Sequence, residues 1–350
     1  MKKLADAIVE VIVNEYGTAE FLRRLSNPFW FQSLGCVLGY DWHSSGVTTV
    51  VTGVLKSVLS PEKHGVTVAG GKGSLSRRTP NEIMEIGEKL GFSSQKIAEL
   101  VRISRLTAKV DNVAIQDGYT LYHHAFFIDE KGNWAVIQQG MNVDEKTARR
   151  YHWNSEKAIN LIEEPHNAII SDKIRKRALN LTDKSSERCR KVCIDIARER
   201  PVKVKRLLSS IVPRYQSILS KWIQEYPEER KYYCDVLYMP RRIDWKALER
   251  AYSLQPKNFE QLLEIKGVGP SLVRALALIS EIIYGEAPSW RDPAKFSFAF
   301  GGKDGVPFPV DRDSMDRVYQ ILTEAIEKAK IGDREKLSAL QRLKAILKHL

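Results

Sequence analysis

The sequence predicts an α+β protein, with a mixed α/β N-terminal domain at 1–170 followed by an all-helical basic domain at 171–350. Apolar runs at 122–128 and 134–140 flank the turn-forming segment DEKGN, which is typical of a β-hairpin. From about residue 184 onward, apolar residues recur at helical spacing. Most of the excess positive charge also lies in this second part, so the two halves differ in both periodicity and charge.

The composition is that of a soluble globular chain. Of its 350 residues, 43% are hydrophobic and 28% are charged, and no apolar run reaches the roughly 18 to 20 residues of a membrane span. The N-terminal stretch KKLADAIVEVIV has lysines like those of a signal peptide, but Asp6 and Glu10 interrupt its apolar run and favour an amphipathic helix. We therefore expect a cytoplasmic protein with no membrane partner.

The cysteines do not indicate a zinc site. Cys189 and Cys193 lie on one face of a predicted helix, but no second pair of cysteines completes a tetrahedral set. We expect all four cysteines to be free buried thiols, namely Cys36, Cys189, Cys193 and Cys234.

The elements of the N-terminal domain follow from its apolar and glycine patterns. Residues 1–26 predict one helix, and residues 27–60 alternate short apolar runs with turns. The stretch 64–80, HGVTVAGGKGSLSRRTP, predicts a glycine-rich loop with clustered cations. Helical periodicity follows at 80–91 and 93–116, before the β-hairpin begins.

The positive charge is concentrated in one stretch. The chain carries 55 Lys and Arg against 43 Asp and Glu, a net charge of +12. Residues 172–250 contain 21 basic and 11 acidic residues, which accounts for ten of the twelve excess charges. Such a localised excess favours a phosphate-binding surface, although a set of solvated helix faces has the same composition.

A GVGP turn at 267–270 interrupts an otherwise helical apolar pattern. It separates helix 258–266 from helix 270–284, because glycine and proline are unfavourable inside a helix. The glycines allow backbone N–H groups to approach a phosphate, and the N-terminal dipole of the second helix favours an anion. We expect Val268 to fill the interior of this hairpin.

The pattern resembles the helix-hairpin-helix family of DNA-binding motifs, which bind without sequence specificity. The resemblance covers 258–284 and implies that the hairpin binds a nucleic-acid backbone, expected to be DNA. A helical corner with a glycine turn is the alternative interpretation. The DNA-binding residues implied by this resemblance are Lys266, Gly267, Val268, Gly269, Ser271 and Arg274.

A second resemblance, to helix-hairpin-helix DNA glycosylases, concerns Asp311. Those enzymes carry a catalytic Asp after the hairpin, and Asp311 lies in the similar setting FPVDRDSMDRV. It follows Gly269 by 42 positions (311 − 269), a longer separation than that family shows, and Ser271 stands where lyase-competent members have a lysine. The alternative is that Asp311 or Asp313 caps a helix beginning near residue 314.

The N-terminal domain is rich in potential metal ligands and bases. Six of the seven histidines lie between residues 43 and 166, close in sequence to several carboxylates. These residue types bind divalent ions and act as general bases, and they exceed what a packed core requires. The candidate catalytic residues are Asp41, His43, Asp117, His123, His124 and Glu164, and the candidate ligands of an Mn²⁺ or Mg²⁺ ion are Asp41, His43, Asp117 and His166.

The hairpin places its two histidines on opposite faces of the sheet. Side chains alternate along a strand, so only one of His123 and His124 enters a given site. If the chain turns at 129–133, His124 lies opposite Gln138 and His123 opposite Gln139. Such polar pairs are compatible with a functional site and equally with a hydrogen-bonded core.

The glycine-rich stretch at 64–80 does not match a phosphate-binding P-loop. A P-loop beginning at Gly65 requires lysine at 71 and Ser or Thr at 72, where Gly71 and Lys72 stand. An anion nest remains open, and in it we expect Lys72, Arg77 and Arg78 to contact phosphate.

Several long polar motifs carry a further resemblance that spans nearly the whole chain. They include NPFWFQSLGCVLGYDWHSSG, KVDNVAIQDGYTLYHH, EEPHNAI and FGGKDGVPFPVDR. In these motifs the sequence resembles the family known as domain of unknown function 763, which implies no particular reaction. Members of that family usually begin with an additional segment before the first helix, and we expect this chain to lack it.

Together these features predict a two-domain DNA-processing enzyme. The basic helical domain binds the DNA backbone with little sequence preference, and the α/β domain contributes a metal-dependent nuclease site in which a divalent ion activates water. The alternatives are a glycosylase that uses Asp311, a DNA-binding protein without catalysis, and a structural adaptor. The preferred DNA structure and the oligomeric state stay open.

Overall fold

A five-stranded antiparallel sheet lies at the centre of the fold. The computed structural model describes residues 1–40, 46–211, 242–296 and 312–346. The order of the five strands is β1-β3-β4-β5-β6, and a small second sheet pairs β2 with β7. The strands are β1 Val66–Lys72, β2 Ile115–Gln116, β3 Thr120–Asp129, β4 Trp134–Asn142, β5 Thr147–Asn154, β6 Ala168–Ser171 and β7 Leu179–Asn180.

Helices precede, interrupt and follow these strands. The N-terminal helices are α1 Lys2–Tyr16, α2 Thr18–Leu25, α3 Pro28–Val37, α4 Val47–Val58 and α5 Pro61–His64. After β1 come α6 Ser74–Lys89 and α7 Ser94–Lys109, and α7 continues into a π-helical turn at Val110–Ala114. The later helices are α8 Glu187–Ala197, α9 at 201–211, α10 Trp245–Leu254, α11 Phe259–Glu264, α12 Pro270–Tyr284, α13 Arg312–Lys328 and α14 Asp333–Ile346.

The two faces of the sheet belong to different hydrophobic cores. Phe127 and Ile137 pack with apolar residues of α1 to α4, α13 and α14. Phe126 and Val136 pack with apolar residues of α7, α8, α11 and α12. Adjacent residues enter opposite cores because side chains alternate along a strand. Both cores contain residues from before and after position 170, and the predicted domain boundary stays a prediction.

The predicted β-hairpin and its register are confirmed. β3 pairs with β4 so that His124 lies opposite Gln138 and His123 lies opposite Gln139. Asp129 stabilises the turn, because its carboxylate accepts hydrogen bonds from the backbone N–H groups of Lys131 and Asn133. The alternation of side chains therefore predicted the facing residues correctly.

The predictions for 1–60 were partly wrong. The single helix predicted at 1–26 is divided at Gly17, whose φ of 85° takes the chain out of the helix between α1 and α2. Within 27–60, predicted as short apolar runs with turns, Pro28–Val37 and Val47–Val58 form α3 and α4. Asn27 caps α3, with Pro28 at its first position. The β-branched α4 is helical because one face is buried in the core, and this burial outweighs weak helix propensity.

The stretch 64–80 is a strand and a helix rather than the predicted loop. A Cβ on Gly70 would lie 2.2 Å from the carbonyl oxygen of His124, so glycine is needed for the close approach of β1 to β3. The Gly70 N–H donates to the Glu82 carboxylate, and the Gly73 N–H donates to the Tyr122 carbonyl. These two amides are bound within the fold and do not contribute to an anion nest.

Two further predictions concern burial. Cys189 and Cys193 are buried free thiols, as predicted, and Cys36 is buried as well. Cys234 lies outside the described residues. None of the helices in the described part of the chain is both long enough and apolar enough to cross a membrane.

Candidate nucleic-acid interface

A cleft of about 1050 Å³ lies between α6, α7, the first half of β3, the middle of β4, and the glycine turn that precedes α12. It brings together residues that the sequence predicted separately, namely Arg77, His123, His124 and Gly269. The charged groups of its lining are Arg77, Arg102, Arg105, Lys109, Glu88 and Glu264.

The positive charge of this cleft comes from α6 and α7. Arg102 binds Glu260 and Glu264 of α11 at 2.6 and 2.5 Å, so its charge is neutralised within the fold. Among the described residues, no carboxylate lies within ion-pair distance of Arg77, Arg105 or Lys109. Burial without a carboxylate partner lowers the pKa of Lys109. These three cations can therefore compensate the charge of a bound anion.

The glycine turn forms one wall of the cleft. The predicted pair of helices is present as α11 and α12, and Val268 between them is fully buried, as predicted. Pro270 is the first residue of α12, and no described side chain caps that helix. Lys109 Nζ donates to the carbonyl of Val268, and Gln116 Nε2 donates to the carbonyl of Pro270 at 2.9 Å. The turn is thus attached to the last residue of α7 and to β2.

The two glycines of the turn have different roles. Gly267 has a φ of 90°, and a Cβ there would lie 2.3 Å from Nη2 of Arg250, so the fold requires glycine at this position. Gly269 has an ordinary φ of −131°. The nearest atom to a Cβ on Gly269 is the Gly267 carbonyl oxygen, at 3.7 Å. A Cβ at 269, in the wall of the cleft, therefore makes no close contact with the described residues.

The other predicted phosphate contacts do not line the cleft. Lys72, Arg78 and Lys266 are exposed, and Ser271 is half-buried. Arg274 Nη1 donates to Gln116 Oε1 at 3.4 Å, and its guanidinium lies 5.6 Å from the centre of the Trp290 ring.

A row of buried hydrogen bonds leads from the cleft into the sheet. Ser104 Oγ lies 2.9 Å from His124 Nε2, and His124 Nδ1 lies 2.8 Å from Gln138 Oε1. Gln138 Nε2 donates to Asp111 Oδ2 at 2.6 Å. Asp111 Oδ1 in turn lies 2.5 Å from His166 Nε2. Ser104 and His124 border the cleft with 2% and 5% of their surfaces exposed, and Gln138 and Asp111 are fully buried behind them.

The directions of the hydrogen bonds from Ser104 to Asp111 follow from Trp153. The indole N–H can only donate, and it donates to Asp111 Oδ2, so this oxygen is an acceptor. Gln138 must therefore present its NH₂ group to Asp111 and its carbonyl oxygen to His124. His124 then carries its proton on Nδ1, and the unprotonated Nε2 accepts the hydroxyl proton of Ser104. Burial lowers the pKa of His124 to about 4, which is consistent with a neutral ring at pH 7.

His123 also borders the cleft, but its side chain extends to the opposite face of the sheet from that of His124, as its position in the strand predicted. Its Nε2 lies 3.0 Å from Thr52 Oγ1 of α4. Burial lowers the pKa of His123 to about 3, and the positive charges nearby act in the same direction. The ring is therefore neutral at pH 7 and retains one lone pair.

Asp117 lies in a different network. Its Oδ2 accepts hydrogen bonds from Arg149 Nη1 and from the hydroxyl of Tyr151, both at 2.8 Å. Arg149 also binds both carboxylate oxygens of Asp292, at 2.8 and 2.7 Å, and all three charged side chains are buried. The two carboxylates raise the pKa of Arg149, so this group is a buried ion triad. Glu164 is exposed, and its backbone N–H donates to the carbonyl of Thr182.

The structure therefore describes only two of the four predicted metal ligands. Asp117 binds Arg149, and His166 binds Asp111. Asp41 and His43 lie outside the described residues, and so does Asp311. Within the described ranges, no three His, Cys, Asp or Glu side chains are arranged to hold a metal ion.

Comparison with known proteins identifies the family. A family model described as "Protein of unknown function (DUF763)" matches residues 1–310 of the 350. The chain belongs to the DUF763 family. No curated protein and no solved structure matches it.

Sequence reasoning missed the contribution of α7 to this DUF763 protein. The signal was present as helical spacing within SRLTAKVD. Ser104, Thr107 and Asp111 recur three and four positions apart on an otherwise apolar, buried face. Arg105 and Lys109, four positions apart, lie on one side of the same helix and line the cleft. Buried polar residues in such a pattern indicate a polar network inside the fold.

Proposed function

We propose that this protein binds DNA along the cleft between α6, α7 and the glycine turn, and that it processes the bound strand with little sequence preference. One observation carries this proposal. Three cations without a carboxylate partner line the same cleft as the glycine turn. Lysine, arginine and the N-terminus of a helix are the groups that bind phosphate oxygens in proteins that contact the DNA backbone.

The two walls of the cleft supply complementary contacts. Arg77 on α6 and Arg105 and Lys109 on α7 supply charge, and the N–H of Gly269 at the start of α12 supplies a backbone donor. Contacts of this kind fix the position of a nucleic-acid backbone and carry no base information. We therefore expect binding to depend on the phosphates rather than on the sequence of the DNA.

Gly269→Val is expected to weaken DNA binding by about tenfold or more, because its side chain would separate the backbone of the turn from a phosphate. Gly53→Val serves as the control, since Gly53 is exposed on α4 and a Cβ there meets nothing within 4 Å. Fluorescence anisotropy with a labelled oligonucleotide measures both affinities, and circular dichroism confirms that both variants fold. Unchanged affinity in folded Gly269→Val protein would rule out the turn as a binding wall.

For the reaction, we propose metal-dependent cleavage of the DNA backbone. The support is chemical, since Asp41 and His43 in the DWHSSG segment are types of side chain that bind Mn²⁺ or Mg²⁺ and so activate water. The assay incubates labelled single- and double-stranded DNA with the protein and Mn²⁺, Mg²⁺ or chelator.

Asp41→Ala combined with His43→Ala is expected to abolish metal-dependent scission while DNA binding persists, because loss of metal ligands removes the activated water. Asp311→Ala is the comparison variant. If Asp311 only caps a helix, the Asp311→Ala variant loses about 0.5–2 kcal/mol of stability and retains its turnover. Alkali-labile abasic product formed without metal, and lost in Asp311→Ala, would instead indicate a glycosylase. Intact binding with no product of either kind would indicate a protein that binds DNA without catalysis.

A further inference from the structure

The wall of the cleft contains a serine hydroxyl that is hydrogen-bonded to a basic nitrogen. Ser104 Oγ and His124 Nε2 are 2.9 Å apart, and both residues line the cleft. The bond from Gln138 to Asp111 fixes the His124 tautomer, so Nε2 accepts the proton of the serine. A nucleophile, a base within hydrogen-bond reach and a third group that orients the base are the components of an activated serine.

We propose that Ser104 and His124 form a nucleophile and general-base pair, and that Ser104 Oγ attacks a phosphodiester bond of the strand in the cleft. The substrate class rests on the proposed DNA binding, whereas the cleavage step uses Ser104 in place of the metal-activated water proposed above, so scission by this route persists with chelator. The substrate class is supported by the charges of the same cleft, since Arg105 and Lys109 both line it. Cations placed beside a phosphoryl group stabilise the charge that develops on its oxygens.

The reaction balances without any further reactant except water. As Ser104 Oγ bonds to phosphorus, its proton passes to His124 Nε2. The bond from phosphorus to the leaving sugar oxygen breaks, and that oxygen takes the proton from His124. This leaves one strand end as a hydroxyl and the other as a phosphodiester of Ser104. A water molecule then gives its proton to His124 and attacks phosphorus, and Ser104 leaves with that proton.

Gln138 and Asp111 act as positioning residues in this arrangement. Gln138 holds the Nδ1–H of His124, and Asp111 holds Gln138, with Trp153 and His166 binding the same carboxylate. A hydrogen-bonded pair with a purely structural role would need no access to a cleft. Here Ser104 and His124 border the cleft that also contains Arg77, Arg105 and Lys109, with 2% and 5% of their surfaces exposed.

A fluorophosphonate probe tests the nucleophile without requiring DNA or metal. The full-length protein is incubated with the probe and chelator, and the labelled residue is identified by mass spectrometry. We expect one label on Ser104, none in Ser104→Ala, and labelling at least about 100-fold slower in His124→Gln, because a general base contributes about 10² or more. Ser76→Ala is the matched control, since Ser76 also lines the cleft but its hydroxyl donates to the Gly73 carbonyl at 2.6 Å.

Each outcome decides one part of the proposal. No label on native protein, a label on Ser76 instead, or unchanged labelling in folded His124→Gln would overturn the pair. If His124→Gln fails to fold, His124→Asn replaces it, and the thermal midpoint of each variant is measured by circular dichroism. DNA affinity is measured on the same samples. If Ser104 is labelled but the protein does not bind DNA, the result supports Ser104 as a nucleophile. It overturns the DNA proposal and the substrate class that rests on it. DNA binding without labelling would overturn the nucleophile alone.

Discussion

DNA affinity is expected to fall by about 10³-fold when the salt concentration rises from about 50 to 200 mM. Six cations without a described carboxylate partner are the candidate phosphate contacts, of which three line the cleft and three are exposed outside its lining. Displacing the counterions of six phosphates gives a slope of about −5 in a plot of log affinity against log salt concentration. These cations are Arg77, Arg105, Lys109, Lys72, Arg78 and Lys266.

The same titration locates the contacts. Replacing both Arg77 and Arg105 with alanine is expected to reduce the magnitude of the slope by about 2, because each lost phosphate contact contributes about 0.9. Lys2→Ala combined with Lys3→Ala is the matched control, since it removes two exposed charges from α1, which packs on the other face of the sheet. Equal changes in the two double variants would show that net charge, rather than the cleft, governs binding.

Arg149→Met is expected to destabilise the protein by about 3–5 kcal/mol, because it leaves Asp117 and Asp292 buried without their counterion. Urea unfolding followed by circular dichroism measures the loss. The control is Lys191→Met, which breaks the exposed pair with Glu187 and should change stability by no more than about 1 kcal/mol. Similar losses in the two variants would contradict the structural importance of the buried triad.

The same measurement separates two roles for Asp117. If Asp117 serves only as a partner of Arg149 and Tyr151, the Asp117→Asn variant loses the same amount of stability with Mn²⁺ as with chelator. As a metal ligand, the aspartate of the native protein would confer extra stability only when Mn²⁺ is present, because a bound ion stabilises the folded state by mass action. A difference between the two conditions that disappears in Asp117→Asn would therefore support the metal site predicted from the sequence.

Local patterns predicted the parts of the fold that depend on local physics. The hairpin at 122–140 was predicted with its register, because alternation and turn residues act between neighbouring residues. The α11–α12 turn was predicted for a similar reason, since glycine and Pro270 restrict the backbone directly. The strand and helix of the stretch 64–80 were not predicted. Gly70 is needed for the close approach of β1 to β3, and β3 lies more than fifty residues away in sequence.

The candidate site was predicted only as separate pieces. Arg77, His123, His124 and Gly269 were each selected from the sequence, but nothing in their spacing indicates that they line one cleft. Ser104 was not selected at all, because a lone serine in a helical pattern has no distinguishing chemistry until a histidine from another element approaches it. Asp117 shows the reverse case, since its ligand chemistry is visible in the sequence and its partner Arg149 is not.

By itself the sequence determined the α+β class, the hairpin register and the helix pair with Val268 at its centre, because turn chemistry and side-chain periodicity act over a few residues. It also determined membership of the DUF763 family. Only the tertiary structure decided that α7 meets both the hairpin histidine and the glycine turn, through Ser104 and Lys109. Such long-range contacts result from burying two faces of one sheet under helices distant in sequence, and no local pattern specifies which polar groups then become neighbours.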